Sequence, residues 1–390
     1  MEYELPPELA ALKARARSFV DRHLIPDERA LSAGHKVEPA TKARLEAAAR
    51  DAGFWLLNVP REYGGQGLGL LAKCVVWEEI ARSIALPTRG ATVFGPEVSP
   101  ILYHLTGDLR AAVLDPVLRG ETRTAFAQTE PDAGSDPAGM TTTAVRDGDA
   151  YVINGRKIYI GFVDDARYIQ LFAATDRSKR ANGGISAFVV PVDAAGVRIV
   201  RQITTMMRDR PFELAFDDVR VPVANRIGEE GDGFKFGQAW LTEGRLRHAA
   251  RAIGVIERCL ELAGARVTGR STFGAPLAER QSIQWKLVDM YLHLKQLRLM
   301  TYTTAAAFDA GKDVRYDSYM CKFFGDEKSF AAADACMQIF GGLGLTTDTP
   351  IETLWRDQRS MIITEGATEV LKMALARSVL KRYGGAERRH

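Results

Sequence analysis

TRTAFAQT (residues 122–129), AYVING (150–155), RYIQLFAAT (167–175), GISAFVVP (184–191), GVRIV (196–200) and ELAFDDVRV (213–221) are the runs whose reading decides the architecture. Each is short, mixes β-branched and aromatic residues, and is bounded by turn formers such as Asn154-Gly155, which is the signature of strands. On the N-terminal side, over residues 7–120, apolar residues recur at helical spacing: Leu9, Leu12, Ala16 and Phe19, then Leu45, Ala49, Ala52 and Phe54. On the C-terminal side, after GEEGDGF (228–234), amphipathic segments predict helices over 234–263, 280–310, 316–340 and 368–382. Helices, then strands, then helices, without strand–helix alternation, argue for segregated layers rather than a doubly wound sheet. The expectation is an α+β protein with a helical domain at residues 1–120, a middle antiparallel β domain at 121–230 and a C-terminal four-helix bundle at 231–390.

Composition narrows the function classes. With 46% apolar and 26% charged residues and a net charge of +3, the 390-residue chain can bury sizeable cores, and it is neither disordered nor fibrous. No block of Lys and Arg suggests nucleic acid. Cys74, Cys259, Cys321 and Cys336 lack C-x-x-C spacing, which suggests no zinc site or disulfide framework and fits a reducing compartment. The opening MEYELPPELAALKARARSFV has no signal-like apolar core, and no run approaches eighteen apolar residues, so a cytoplasmic protein without a membrane span is expected. The six histidines are isolated, so no metal is expected. GGQGLG (64–69) and GGLGL (341–345) do not match G-x-G-x-x-G after a strand, and no Walker A motif occurs, which argues against nicotinamide or ATP.

Five segments carry candidate chemistry. Thr129-Glu130-Pro131-Asp132-Ala133-Gly134-Ser135-Asp136 is a turn-rich loop directly after a strand; it offers hydroxyl donors and close backbone approach, or it is an ordinary β-loop. Arg270 beside Ser271 and Thr272, with Phe273, Gly274 and then Gln281, suits a diphosphate or a solvated interhelix turn. Gln338 to Gly344 ends a helix with glycines, as a C-cap does. In Thr364-Glu365-Gly366-Ala367-Thr368-Glu369 a carboxylate precedes a flexible glycine and a helix start, either as a base or as a complement to the helix dipole. Arg245, in LTEGRLRHAARAIG (241–254), is a site cation or a surface charge.

In order and over nearly the whole chain, from Leu9 to KRYGG (381–385), these segments resemble the acyl-CoA dehydrogenase family: T-E-P-x-A-G-S-D at every defined position, R-x-T-F-G, Q-x-x-G-G-x-G, and E-G-x-x-E/Q. The resemblance implies FAD, with contacts from Phe126, Gln128, Thr129, Gly134, Ser135, Tyr159, Ile160, Gly161, Ala367 and Glu369. Arg270, Thr272, Phe273, Gln281, Gln338, Gly341 and Gly342 would reach the flavin of a neighbouring subunit. It further implies Glu365 as catalytic base with Arg245 near it, and substrate contacts from Ser135, Thr242, Arg245, Glu365 and Gly366. The implied reaction is α,β-dehydrogenation of an acyl-CoA to the trans-2-enoyl-CoA. Glu365 takes the α-proton and flavin N5 the β-hydride, which no side chain can accept. Burial would raise the carboxylate's pKa, and the Glu365 amide would donate to the thioester oxygen. The implied partners are the acyl-CoA substrate, an electron-transfer flavoprotein and copies of the chain in a homotetramer built as a dimer of dimers.

Three departures stand out. Tyr159-Ile160-Gly161 replaces the usual W-I-T or W-I-S, which removes a hydroxyl near flavin N5; Thr364 replaces an aromatic; and Ala367 replaces a threonine. The competing readings are Glu243 as the base, an enoyl-CoA reductase, an acyl-CoA oxidase, a flavin monooxygenase (relatives of which lack the Glu), a decarboxylating dehydrogenase using Arg89, and a non-catalytic homologue.

Overall fold

The computed structural model describes residues 3–32, 37–85 and 92–384; Arg89, His35 and His390 lie outside the described residues. The chain groups into two compact units: residues 1–57, 67–91 and 242–390 make one, and residues 58–66 and 92–241 the other. Of residues 1–120, 1–57 and 67–91 fall in the first unit, and 58–66 and 92–120 in the second.

The second unit carries an eight-stranded sheet: β1 (Arg123–Ala127), β2 (Thr143–Asp147), β3 (Ala150–Ile160), β4 (Ala166–Ala174), β5 (Ile185–Pro191), β6 (Val197–Gln202), β7 (Phe212–Pro222) and β8 (Arg226–Ile227), in the order β6-β7-β3-β2-β4-β5-β8 with β1 on β4. All six expected runs are strands. The sheet is not wholly antiparallel: β1 lies parallel to β4, and β2 meets β4 in parallel at Thr143 and Ala174. The connection from β1 to β4, residues 128–165, is long enough for the crossover that parallel neighbours need. The core contains Tyr151, Ile153, Ile169, Leu171, Phe188, Leu214 and Phe216. Register shifts between Ile153 and Gly155, and between Lys157 and Ile160, re-aim the end of β3. Gly155 is required there, because a Cβ would stand 2.4 Å from the Thr142 hydroxyl.

In the helical unit, Pro7–Phe19, Leu70–Ile80, the part of Gly233–Gly269 from residue 242 onward, Gln281–Asp309 and Arg315–Phe340 enclose a core that includes Val75, Ile253, Ile256 and Leu297. Each such side chain contributes roughly 1.5–3 kcal/mol through burial. Two glycines let helices approach closely: a Cβ on Gly254 would lie 2.0 Å from the Glu78 carbonyl, and one on Gly325 would lie 3.2 Å from Leu297. Asp309 caps Leu70–Ile80 by accepting from the Leu70 and Leu71 amides at 2.6 and 2.9 Å. Glu78, fully buried, is held by Lys13 at 2.6 Å, Arg298 at 2.7 Å and the Tyr302 hydroxyl at 2.6 Å, which ties three helices together. A helix at Ile351–Met361 was not anticipated, although Ile351, Leu354 and Met361 repeat at helical spacing and are buried. No described helix is long and apolar enough to cross a membrane.

Candidate active site

Glu365 lies in the turn between Ile351–Met361 and Thr368–Tyr383. Its φ of 55° is left-handed, and Gly366 follows at 105°, so two successive residues depart from ordinary backbone. For a glutamate this is a strained conformation of the kind that collects at functional sites. Lys322, fully buried, holds the turn by donating to the Met361 carbonyl at 2.9 Å and the Gly366 carbonyl at 2.8 Å. The Glu365 side chain is 18% exposed, with Oε1 3.6 Å from the Arg247 guanidinium and Oε2 3.5 Å from His248 Nε2. Room for the carboxylate comes from Gly244, where a Cβ would stand 2.4 Å from Oε2. Arg247, His248, Gly244 and Lys322 were not picked out from the sequence. The spacing of Gly244, Arg247 and His248 at i, i+3 and i+4 on one helix face was the available signal.

Arg245 is buried, its guanidinium 4.6 Å from the Tyr319 ring centre and its Nε without a hydrogen-bond partner. Burial lowers its pKa, against the opposing pull of Tyr319 and Glu365. It shares the helix with Thr242, which is half-buried. Glu243, the competing base, is committed elsewhere: its carboxylate takes the Lys73 ammonium at 3.0 Å. Thr364 and Thr368, flanking Glu365, have buried hydroxyls with no protein partner, as expected where a bound group completes the site.

In the sheet unit, the Thr129–Asp136 loop is fastened from beneath. Glu130 accepts from the Thr141 amide at 2.6 Å, the Thr141 hydroxyl at 2.8 Å and the Thr142 amide at 2.9 Å, and it pairs with the buried Lys157 at 2.9 Å. Lys157 also donates to the Gln128 carbonyl, and the Ile158 amide donates to the Thr129 carbonyl. Burial works to raise the Glu130 pKa, but Lys157 and the hydrogen bonds prevail and hold it at about 2. Burial in turn pushes Lys157 down to about 8. So fixed, the loop leaves Gly134 and Ser135 exposed, with Phe126, Gln128 and Thr129 half-buried. Beside it, Ile160 is buried, while Tyr159 turns outward at φ 59° and is 61% exposed. Gly161 is half-buried, with open space around a Cβ position.

The remaining motif residues present themselves outward. Arg270, Phe273 and Gln281 are exposed and Thr272 is half-buried, on and after a hairpin pairing Ser271–Thr272 with Ala275–Pro276. Phe273 is 99% exposed at a left-handed φ of 51°. The helix ends at Phe340, and Gln338, Gly341 and Gly342 are exposed, the glycines with open space around a Cβ position. Glu369 is exposed and Ala367 half-buried at the start of the last helix. Outward hydroxyls, glycines and an uncovered phenylalanine fit a large ligand such as FAD better than they fit a finished protein surface.

Models of the N-terminal, middle and C-terminal domains of acyl-CoA dehydrogenases match residues 6–121, 125–219 and 231–380. The chain is 35% identical over 396 residues to the (R)-benzylsuccinyl-CoA dehydrogenase of Thauera aromatica, covering 97% of each chain. It is 33% identical over 387 residues to the mitochondrial short-chain specific acyl-CoA dehydrogenase of Mus musculus, covering 97% of this chain and 92% of the mouse protein. The solved butyryl-CoA dehydrogenase of Megasphaera elsdenii is 29% identical, with a TM-score of 0.84 over 97% of this chain and 100% of that one. Fold and matches together define an oxidoreductase of acyl-CoA thioesters. The chain belongs to the acyl-CoA dehydrogenase family, whose members are flavoproteins using FAD.

Proposed function

We propose that this chain removes hydrogens from the α and β carbons of an acyl-CoA, yielding the trans-2-enoyl-CoA, with Glu365 as the base. The observation that carries the reading is the Glu365 carboxylate itself: partly exposed, on a strained turn, facing the cleared space of Gly244, with Arg247 and His248 at 3.6 and 3.5 Å. A base needs such a carboxylate, ionised and able to shift by a few tenths of an ångström to meet a proton. Arg245 and Arg247 favour the ionised form, and the Glu365 amide is the candidate donor to the thioester oxygen. Ser135, Thr242 and Gly366 complete the proposed substrate contacts. FAD, when bound, supplies the hydride acceptor. In the sheet unit Gln128, Thr129, Gly134, Ser135 and the Tyr159–Gly161 segment are the candidate contacts to it; in the helical unit the candidates are Ala367 and Glu369 of the Glu365 turn.

The test is an anaerobic titration of the holoenzyme with a panel that includes butyryl-CoA and benzylsuccinyl-CoA, following loss of visible flavin absorbance. Bleaching by one member, abolished in a flavin-retaining Glu365→Gln variant, supports the reading. A wild type that stays yellow with every thioester refutes it.

A homotetramer is proposed on two features. Trp285, Val288, Tyr291 and Leu292 leave an exposed apolar stripe on Gln281–Asp309, and the Arg270–Gln281 and Gln338–Gly342 motifs face outward. Light scattering that returned a monomer mass would refute it. The proposed electron acceptor is an electron-transfer flavoprotein, and reoxidation of the bleached enzyme by one, rather than by oxygen, would separate a dehydrogenase from an oxidase.

A further inference from the structure

Behind Glu365 runs a buried series of titratable groups that the reaction as proposed does not use. His248, 2% exposed, stands between two carboxylates: Nε2 is 3.5 Å from Glu365 Oε2, and Nδ1 is 3.4 Å from Asp326 Oδ2. Asp326 is fully buried, and the same oxygen lies 3.0 Å from the Lys322 ammonium. Lys322 in turn grips the two ends of the Glu365 turn. The other charged groups facing this series are Arg247 at Glu365 Oε1, Arg245 acting on Glu365 from the same helix, and the Arg251–Asp357 pair at 3.2 Å one turn further on.

A carboxylate sealed from water must be satisfied by protein donors. On Asp326 the Oδ2 atom has two groups within reach, the Lys322 ammonium at 3.0 Å and His248 Nδ1 at 3.4 Å, while Oδ1 has no hydrogen-bond partner, so the Nδ1–H is a donor this carboxylate needs. That places the imidazole proton on Nδ1 and leaves the Nε2 lone pair facing Glu365. Beside an ionised carboxylate this lone pair has nothing to accept. Beside a carboxyl that has just gained a proton, it is an acceptor, as in a nucleophile–histidine–aspartate series where the buried aspartate fixes the tautomer.

We infer that His248, locked by Asp326, is the positioning residue behind Glu365 and the acceptor of the proton that Glu365 removes. The inference rests on Glu365 being the base. The α-C–H bond breaks, its electron pair stays on the thioester as the enolate, and its proton goes to Glu365 Oε2. The proton then passes to His248 Nε2, giving an imidazolium between two carboxylates and restoring the Glu365 charge. After product departs, the proton returns through Glu365 to solvent.

The test uses holoenzyme labelled with ¹⁵N-histidine, the His248 signal being assigned by its loss in His248→Gln. The resting protein should show the Nδ1–H tautomer. Acetoacetyl-CoA, whose α-C–H is acidic, should convert that signal to the doubly protonated form, and Glu365→Gln should abolish the conversion while preserving the tautomer. A resting Nε2–H tautomer overturns the inference, as does an unchanged signal while the enolate absorbance forms. If no enolate forms, the base assignment itself fails and this inference falls with it. Kinetics give an independent check. His248→Gln keeps a polar side chain beside Glu365 but cannot take up a proton, so kcat should fall roughly 10- to 100-fold, by analogy with loss of the outer partner of a metal ligand. KM and melting temperature should hold, and the pH profile of kcat should change shape. An unaltered kcat in a folded variant overturns the proposal even if the spectra cannot be assigned.

Discussion

Two glutamates of this chain show how differently a fold treats a carboxylate it uses for structure and one it offers for chemistry. Glu130 is almost sealed, takes four donors within 2.6–2.9 Å and is held ionised at a pKa of about 2. Glu365 is 18% exposed, sits on a left-handed turn and has Arg247 at 3.6 Å and His248 at 3.5 Å. Saturated coordination fixes geometry and makes protonation unfavourable. At Glu365 the strained turn and the surrounding helices carry the positioning. The acidic residue in the family signature loop is thus an anchor for Thr129 and Ser135, while the base stands on a turn that another buried residue, Lys322, holds in shape.

Exchanging each glutamate for glutamine should break the comparison in opposite ways. In Glu365→Gln the first-order rate of flavin bleaching should fall by roughly 10²–10⁴, the span of a lost general base, with melting temperature and flavin content near wild type. In Glu130→Gln the losses should be reversed. The buried Lys157 ammonium loses its counter-charge, which costs about 3–5 kcal/mol in chemical denaturation, while residual flavin-loaded enzyme still bleaches. The sign of the pH dependence follows from the depressed carboxylate. Its contribution is present above the ordinary value of 4.5 and is lost as pH falls towards about 2, so the two proteins should converge in stability over that interval. A constant difference down to the acid limit would mean that Glu130 acts through packing.

Gly244→Ala sharpens the comparison without touching either charge. The new methyl would stand 2.4 Å from Glu365 Oε2 and force the carboxylate aside. Misplacement on that scale costs up to about 100-fold in turnover, and stopped-flow bleaching should show it with thermal stability little changed. Arg247→Gln tests the electrostatic half. A cation 3.6 Å away favours the ionised carboxylate, so its removal should move the ascending limb of kcat to higher pH. A downward move would assign that limb to another group.

The parts of this molecule legible in the sequence are those governed by short-range pattern. Strand runs such as GISAFVVP and ELAFDDVRV alternate or cluster apolar residues locally, and β5 and β7 lie where those runs fall. The end of Arg315–Phe340 at Gly341 follows from a single glycine with a left-handed φ. What escaped depends on contacts between distant segments. The parallel lie of β1 on β4 is set by pairing across some forty residues. Lys157 sits mid-strand between two register shifts, and its pairing with Glu130 spans twenty-seven residues. Likewise, Lys322 and Asp326 stand four residues apart on one helix, a spacing that carries no sign of burial, yet both are fully buried and lie against the Glu365 turn and His248.

The smallest expected effect concerns Gly161, which stands where the family resemblance implies a hydroxyl. Its backbone is not left-handed, and a Cβ there would meet nothing within 4 Å, so neither strain nor space demands glycine. Gly161→Ser should therefore change stability by no more than about 0.5 kcal/mol. The hydroxyl would reach outward beside the exposed Tyr159 rather than into the core that Ile160 fills. If this position does face flavin N5, the serine variant should shift the flavin midpoint potential and the rate of bleaching while leaving flavin content unchanged. If the potential is unmoved, Tyr159 and Gly161 belong to the sheet surface alone, and the contrast between anchoring and reacting residues stops at Glu365.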